Sequence, residues 1–246
     1  MKQELFTIIE NSPLTAKVSR LRLRGDTSAI AGPGQFVDLK LEGLFLRRPL
    51  SVCDVEGDCL TLLYEAAGRG TEQLRALPEG TELDLLTGLG NTFDLSAAGD
   101  MPLLIAGGTG VSPLYGLAKK LLARGKAVTV VLGFATAADV FYEDEFRALG
   151  AEVVVCTEDG SCGLPGFVTG AMDRPYSYFY TCGPKAMMHA VCECARSDGQ
   201  LSLAVRMGCG FGACMGCRVE TIFGGKRVCK DGPVFRKEEL LWNDLL

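Results

Sequence analysis

Apolar and polar positions change rhythm twice along the chain. Up to about residue 97, apolar residues come in short runs that often alternate with polar ones. The clearest are Leu5-Phe6-Thr7-Ile8-Ile9, Phe36-Val37-Asp38-Leu39-Lys40-Leu41, Leu60-Thr61-Leu62-Leu63-Tyr64 and Leu83-Asp84-Leu85-Leu86. Gly32-Pro33-Gly34, Glu56-Gly57-Asp58 and Pro78-Glu79-Gly80 supply the turn chemistry between them. Short strands at this spacing predict a small antiparallel barrel.

Near Asp100 the pattern becomes Met101-Pro102-Leu103-Leu104-Ile105-Ala106, an unbroken apolar run expected of a parallel strand covered on both faces. Leu114, Leu117, Ala118, Leu121 and Leu122 then recur at helical spacing. Ser112 reads as the N-cap, Pro113 lies in the first turn and Gly125 follows the end. Strands over 127–132, 151–156 and 176–182, with helices around 143–149 and 184–198, complete an alternation that predicts an open, doubly wound parallel sheet. Beyond about residue 200 both rhythms stop, and a Gly- and Cys-rich tail suggests a compact appendage held by a metal. The expected organisation is multi-domain: an antiparallel β-barrel over 1–97, an α/β domain over 98–200 and a small subdomain over 201–246.

The 246 residues are 48% hydrophobic and carry 25 basic against 30 acidic side chains, a net charge of −5. Without a basic block, nucleic acid and anionic membrane are poor partners. No apolar run reaches transmembrane length, and the start MKQELFTIIENSPL lacks the design of a signal peptide. Eleven cysteines in such a chain point to a reducing cytoplasm. His189 is the single histidine, which argues against a His-based triad or zinc protease and places the chemistry on cofactors.

The tail holds the most specific motif. Cys209, Cys214 and Cys217 follow C-x4-C-x2-C, and Cys229 comes after eleven further residues. This is the spacing by which plant-type ferredoxins bind a 2Fe–2S cluster. Gly208, Gly210, Gly212 and Gly216 allow the backbone to wrap tightly around such a cluster. Zinc usually takes two separated short Cys pairs, and only Cys214 and Cys217 form one here. Inert buried thiols explain single cysteines better than four at this spacing. Phe211, Met215, Phe223 and Trp242 are candidates either for docking a partner or for shielding the cluster.

Gly108-x-Gly110-x-x-Pro113 sits between a strand and a helix, where a pyrophosphate can rest, although Pro113 replaces the third glycine of the dinucleotide fingerprint. By itself this is equally a plain tight turn. Cys182-Gly183-Pro184 ends another strand and faces the same expected crevice, with a core thiol as its ordinary reading. Arg47-Arg48-Pro49-Leu50-Ser51 combines a phosphate-pairing guanidinium with a strand hydroxyl, or is a surface charge at a strand start. Cys53, Cys59, Cys156, Cys162, Cys192 and Cys194 show no ligand spacing, and buried packing is expected for them.

Taken together, Arg48-Pro49-Leu50-Ser51, Gly107–Pro113 and Cys182-Gly183-Pro184 resemble the ferredoxin reductase flavoprotein family. The tail, from Cys209 to Cys217 and then Val228-Cys229-Lys230-Asp231-Gly232-Pro233-Val234-Phe235, resembles more narrowly the electron-transfer subunits of type B dihydroorotate dehydrogenases. The resemblance spans nearly the whole chain and implies FAD in the barrel, NAD against the sheet and a 2Fe–2S cluster on the tail. By that likeness Arg48, Pro49, Leu50 and Ser51 would line FAD, joined by Leu63-Tyr64-Glu65 and, near the pyrophosphate, Gly70-Thr71. Gly107, Gly108, Thr109 and Gly110, with Cys182, Gly183 and Pro184, would take the nicotinamide nucleotide. Cys209, Cys214, Cys217 and Cys229 would hold the cluster, and Cys182 would shape the nicotinamide pocket without acting as a nucleophile. Gly88-Leu89-Gly90-Asn91 matches a Gly-Pro-Leu-Gly-Asn segment of the family without its proline.

The implied partner is an FMN-containing catalytic subunit that oxidises dihydroorotate to orotate in pyrimidine biosynthesis, two of each chain forming a heterotetramer. Electrons would pass singly through the cluster to FAD and leave as hydride on NAD+. Residues 133–139 offer no Arg or Lys to a 2′-phosphate, which favours NAD over NADP. The rivals are the FAD and iron–sulfur subunit of another NAD(P)H-linked complex, such as a ferredoxin:NADP oxidoreductase or a sulfhydrogenase, and a non-catalytic flavin- and zinc-binding regulatory module.

Overall fold

The computed structural model describes residues 1–244. Strands β1 (Lys2–Pro13), β2 (Val18–Arg24), β3 (Phe36–Leu39), β4 (Arg48–Glu56), β5 (Cys59–Glu65) and β6 (Glu82–Leu89) close into an antiparallel barrel in the order β1-β2-β5-β4-β3-β6. Helix α1 (Arg69–Arg75) bridges β5 and β6. Phe6, Leu21, Leu23, Leu39, Leu60 and Leu62 are fully buried inside it. Each such side chain contributes roughly 1.5–3 kcal/mol. Strand β2 shows the alternation at its plainest: Leu21 and Leu23 point inward, while Arg20 and Arg22 lie outside and pair with Glu10.

The second unit is a mixed sheet. Strands β7 (Pro102–Gly107), β8 (Thr129–Phe134), β9 (Glu152–Thr157), β10 (Leu164–Pro165), β11 (Tyr178–Cys182) and β12 (Gly199–Ser202) run parallel in the order β10-β9-β8-β7-β11-β12. Helices α2 (Val111–Leu122), α3 (Glu143–Ala148) and α4 (Lys185–Cys194) connect them. The chain moves outward from β7 through β8 and β9, then returns to place β11 on the other side of β7. The strand order therefore reverses between β7 and β11, the position where open α/β sheets bind ligands.

In the tail, β13 (Arg218–Thr221) and β14 (Gly224–Arg227) form a hairpin, followed by α5 (Val228–Asp231) and β15 (Val234–Arg236). The last strand pairs antiparallel with β12 and becomes the edge of the large sheet. The expected parallel sheet thus gains one antiparallel edge strand from the tail, next to β12, which runs to Ser202. One correction concerns α4, which stops at Cys194 instead of residue 198. Ala195 is already extended, and Gly199 must press against the Phe179 ring, where a Cβ would overlap it. Another concerns Ser112: α2 begins at Val111 with Gly110 as its N-cap, two residues earlier than expected, and Ser112 donates its hydroxyl to the Ser51 carbonyl of the barrel at 2.9 Å.

Barrel and sheet are locked together along β4 and α2. Lys119 on α2 pairs with Asp54 at 2.7 Å and also with Glu56, and Gly116 leaves no room for a Cβ beside the Cys53 carbonyl. Tyr180 donates to the Asp94 carbonyl at 2.7 Å, fixing the segment that leads from barrel to sheet. Among the described residues no helix is long and apolar enough to cross a membrane.

Candidate functional site

Adjacent strands carry the two glycine loops of the sheet to one place. Cys182 and Ala106 are register partners, so the turns after β11 and β7 emerge side by side. A Cβ on Gly110 would overlap the Cys182 backbone, and one on Gly107 would lie 2.9 Å from Pro184 Cδ. Gly108, in the left-handed region at φ 52°, turns the chain from β7 into the helical start of α2. The result is a cavity of about 580 Å³, with Gly107, Gly108, Thr109 and Pro184 on its wall. Its volume and its position at the strand-order reversal suit a dinucleotide.

Cys182 lies beneath this wall, 6% exposed. Burial pushes its thiol up to about 12, so it packs as a neutral thiol in the core behind the cavity and does not line it. Two charged side chains in the cavity escaped the sequence reading. Lys17, from the turn between β1 and β2, reaches in from the barrel and stands 3.9 Å from Asp139. Glu158, just past β9, lines the same space. Residues 133–139 hold no cation, but the fold brings a lysine from more than a hundred residues away. Only the pairing of its neighbour Val18 with Glu65 on β5, another cavity residue, could have hinted at it.

On the barrel, Arg48, Pro49, Leu50 and Ser51 are all half-buried, so this end of β4 stays open on both faces. The two adjacent arginines differ in use. Arg47 makes a bidentate pair with Asp84 at 2.9 and 3.0 Å and donates to two backbone carbonyls. Arg48 bonds only nearby carbonyls and lies against Gly70, where a Cβ would collide with its guanidinium. Arg48 and Gly70, far apart in sequence, therefore meet. Thr71 closes the turn into α1 by accepting from the Ala67 N–H at 3.1 Å. Leu63 is buried between barrel and sheet. The Tyr64 side chain is committed to the barrel interior and donates to Asn11 Oδ1 at 2.8 Å, leaving only its backbone for any ligand. Glu65 is exposed and joins the nucleotide cavity.

The four tail cysteines come together as two pairs. Cys217 and Cys229 Sγ atoms stand 3.3 Å apart, and the Cys229 N–H points at Cys217 Sγ. Cys209 Sγ accepts from the N–H groups of Ala213 and Cys214 at 3.2 and 3.4 Å. Gly208 and Gly216 pass close to Cys214 Sγ, where a Cβ would stand 3.1 and 3.5 Å away. Gly210, Gly212 and even Met215, at φ 61°, take left-handed conformations, as a loop wrapped around a central group requires. Burial pushes the Cys209 thiol up, but backbone N–H groups of Cys214, Phe211 and Ala213 outweigh it and bring it down to about 6. Such a sulfur is ready to serve as a thiolate ligand.

This donor set fits a two-iron cluster: four thiols in two pairs, with N–H groups already aimed at sulfur. Phe211, Met215 and Phe223 are exposed near this loop, whereas Trp242 is half-buried against His189, with ring centroids 5.0 Å apart. Of the six remaining cysteines, Cys53 and Cys156 are buried, Cys59, Cys162 and Cys192 are half-buried, and Cys194 is exposed.

One barrel residue touches the cluster loop directly. Asp38 of β3 is 2% exposed, and its Oδ2 faces the Gly210 Cα closely enough that a Cβ there would collide with it. Its Oδ1 has no hydrogen-bond partner. Burial pushes the Asp38 carboxyl up to about 6, with Arg47 and Arg48 opposing and Cys209 reinforcing the shift.

A barrel joined to a sheet domain with a nucleotide crevice at its switch point, carrying a four-cysteine tail, defines a nicotinamide-linked flavin reductase with an iron–sulfur centre. The family described as the iron-sulfur cluster binding domain of dihydroorotate dehydrogenase B matches residues 205–241, and the oxidoreductase NAD-binding domain matches 104–193. The chain is 43% identical over 258 residues to the dihydroorotate dehydrogenase B (NAD(+)) electron transfer subunit of Geobacillus sp. (strain WCH70), covering 98% of this chain and 99% of that one. It is 41% identical to the same subunit of Listeria monocytogenes serotype 4b, with 98% and 99% covered. It belongs to the family of dihydroorotate dehydrogenase B electron transfer subunits. Among solved structures, an NADH-dependent reduced ferredoxin-NADP oxidoreductase superposes with a TM-score of 0.88 at 31% identity, over 98% of this chain and 91% of that one.

Proposed function

We propose that this chain accepts electrons from an FMN-containing subunit that oxidises dihydroorotate, and delivers them to NAD+ through a 2Fe–2S centre and FAD. The observation that carries this reading is the arrangement of the three candidate sites around the barrel. Asp38 is the β3 register partner of Pro49 on the open strand Arg48–Ser51, and it also faces the Gly210 loop of the cysteines. The same strand reaches α2 through the Ser51–Ser112 hydrogen bond, and α2 begins at the nucleotide crevice.

When bound, an iron–sulfur centre carries single electrons, a nicotinamide takes a hydride, and a flavin exchanges with both. The chain's own residues bind and orient these groups. Cys209, Cys214, Cys217 and Cys229 would hold the cluster. Arg48, beside Gly70 and Thr71, would pair with a flavin phosphate, and Pro49, Leu50, Ser51 and the strand backbone at Leu63–Glu65 would contact the flavin. Gly107, Gly108, Thr109 and Gly110 with Gly183 and Pro184 would seat the dinucleotide, with Cys182 packed behind them. Asp139 and Glu158 disfavour the extra charge of a 2′-phosphate, in keeping with NAD. The working units are 1–97, 98–200 and 201–246, with the last anchored to the sheet by β15. The complex is cytoplasmic and pairs two of each subunit.

The likeness to the ferredoxin-NADP oxidoreductase structure favours a second reading, the FAD and iron–sulfur subunit of a different NAD(P)H-linked complex. The higher identity to the dihydroorotate dehydrogenase subunits, together with the matched tail, weighs against it. Anaerobic titration of the isolated holo-chain with NADH tests the cofactor part. The flavin and cluster absorption should both bleach, and dihydroorotate should change neither. A chain that binds flavin but shows no thiolate–iron absorption contradicts this reading.

A further inference from the structure

Among the described residues only three buried side-chain oxygens lack a partner, those of Ser19, Asp38 and Thr87, and Asp38 supplies the single carboxylate among them. A carboxylate normally reaches the inside of a protein only when a cation or hydrogen-bond donors meet it. The nearest cation, Arg47, is spent elsewhere: its guanidinium makes a bidentate pair with Asp84 and touches Asp38 only at the main-chain carbonyl, at 3.2 Å. Arg48 is directed to the carbonyls of Leu46 and Arg47 and to Gly70. The Asp38 carboxyl is therefore buried without a contacting cation and pressed against the loop that carries Cys209.

That position is fixed from both sides. Asp38 belongs to a closed barrel strand, paired with Pro49 on one side and Leu86 on the other. Gly210 is in the left-handed region at φ 74°, and any Cβ would strike the carboxylate, so the loop approaches as near as a backbone can. The Asp38 side chain is thus built into the wall between the candidate flavin strand and the cysteine loop.

We infer that Asp38 is a positioning residue for electron transfer, whose fixed negative charge lowers the reduction potential of the tail's iron–sulfur centre and so favours passage of its electron to the flavin. Adding one electron to a centre beside a buried anion is opposed by a Coulomb term that water screens poorly there. This inference rests on the cluster assignment of the preceding section.

The test is an equilibrium redox titration of the anaerobic holo-chain at pH 8, read by the electron paramagnetic resonance signal of the reduced cluster. Asp38→Asn keeps the side chain's shape, and Asp38→Ala removes it; both delete the charge. Both should retain the cluster spectrum and become easier to reduce, with the reduced-to-oxidised ratio at a fixed poise rising about tenfold, which is 59 mV for one electron. The flavin potential serves as the internal control and should move less. An unchanged or lowered cluster potential overturns the inference. So does loss of the cluster from both variants, because a residue that only tunes potential is not needed to seat the loop. If the unsubstituted chain shows no such signal on reduction, the cluster assignment itself has failed, which the parent measurement separates from failure of the inference.

Discussion

Asn91 and Val234 exchange two hydrogen bonds: the Asn91 amide Nδ2 donates to the Val234 carbonyl at 2.8 Å, and the Val234 N–H donates to Asn91 Oδ1 at 2.9 Å. A side chain from the end of the barrel thereby behaves like a neighbouring strand for β15. The Asn91 N–H adds a bond to the Gly232 carbonyl at 2.7 Å, and Gly90 passes so close to Pro233 that a Cβ would meet its ring. Barrel, cysteine tail and sheet edge are joined at this point. Replacing Asn91 with Ala breaks these two bonds and a longer one from Nδ2 to the Asp231 carbonyl at 3.3 Å, and should cost about 2 kcal/mol. Thermal denaturation should show the loss, and iron should be released from the tail at a lower temperature than in the parent.

The nucleotide crevice is tested by Gly110→Ala. The backbone at Gly110 is ordinary right-handed helix, so the substitution adds only bulk, and its Cβ would overlap the Cys182 backbone. Prising the two loops apart should weaken NADH binding at least tenfold while flavin content stays at the parental level. Stopped-flow reduction by NADH and the flavin-to-protein ratio measure the two separately.

Arg47 and Arg48 should behave as different residues despite their adjacency. Arg48→Ala should lower flavin retention with little change in melting temperature, whereas Arg47→Ala should destabilise the barrel. Burial pushes the Asp84 carboxyl up, but hydrogen bonds and charge from Arg47, with help from Gln3, more than offset this and leave it below its ordinary value. The stabilisation is fully present above the unfolded carboxylate value of about 3.9 and disappears as pH falls through the lower folded one. Melting temperature against pH should therefore fall in acid for the parent and be flatter there for Arg47→Ala.

Much of this was legible in the primary structure where the chemistry is local. Cysteine spacing marks the cluster loop because three ligands lie within nine residues, and the glycine turns after β7 and β11 follow from strand-to-helix transitions. What could not be read depends on contacts between distant segments. Lys17 enters the nucleotide cavity only because the barrel closes against the sheet. Asp38 reads as one more alternating strand residue until Gly210 is seen above it. β15 is three residues of unremarkable sequence whose strand character comes from β12 and Asn91. The burial of Tyr64 and the packing of Trp242 on His189 are likewise decided by neighbours from other parts of the chain.

Charge in the cavity gives a further expectation. Asp139 holds Lys17 at 3.9 Å, so Asp139→Asn removes an anion and releases a cation in one step. NADPH should gain as a reductant relative to NADH by several-fold in kcat/KM, chiefly through KM, because an unpaired lysine suits a 2′-phosphate. Lys17→Ala in the same background should cancel the gain.

If this chain links dihydroorotate oxidation to NAD+, the native complex should show it. The chain is captured anaerobically from its source, the co-purifying subunits are identified, and NADH formation is followed on adding dihydroorotate and NAD+. An FMN-bearing partner is expected, with dihydroorotate-dependent NADH formation that is abolished when Cys229→Ser removes a cluster ligand. A complex whose flavin is reduced by NADH, yet which shows no response to dihydroorotate, would contradict it.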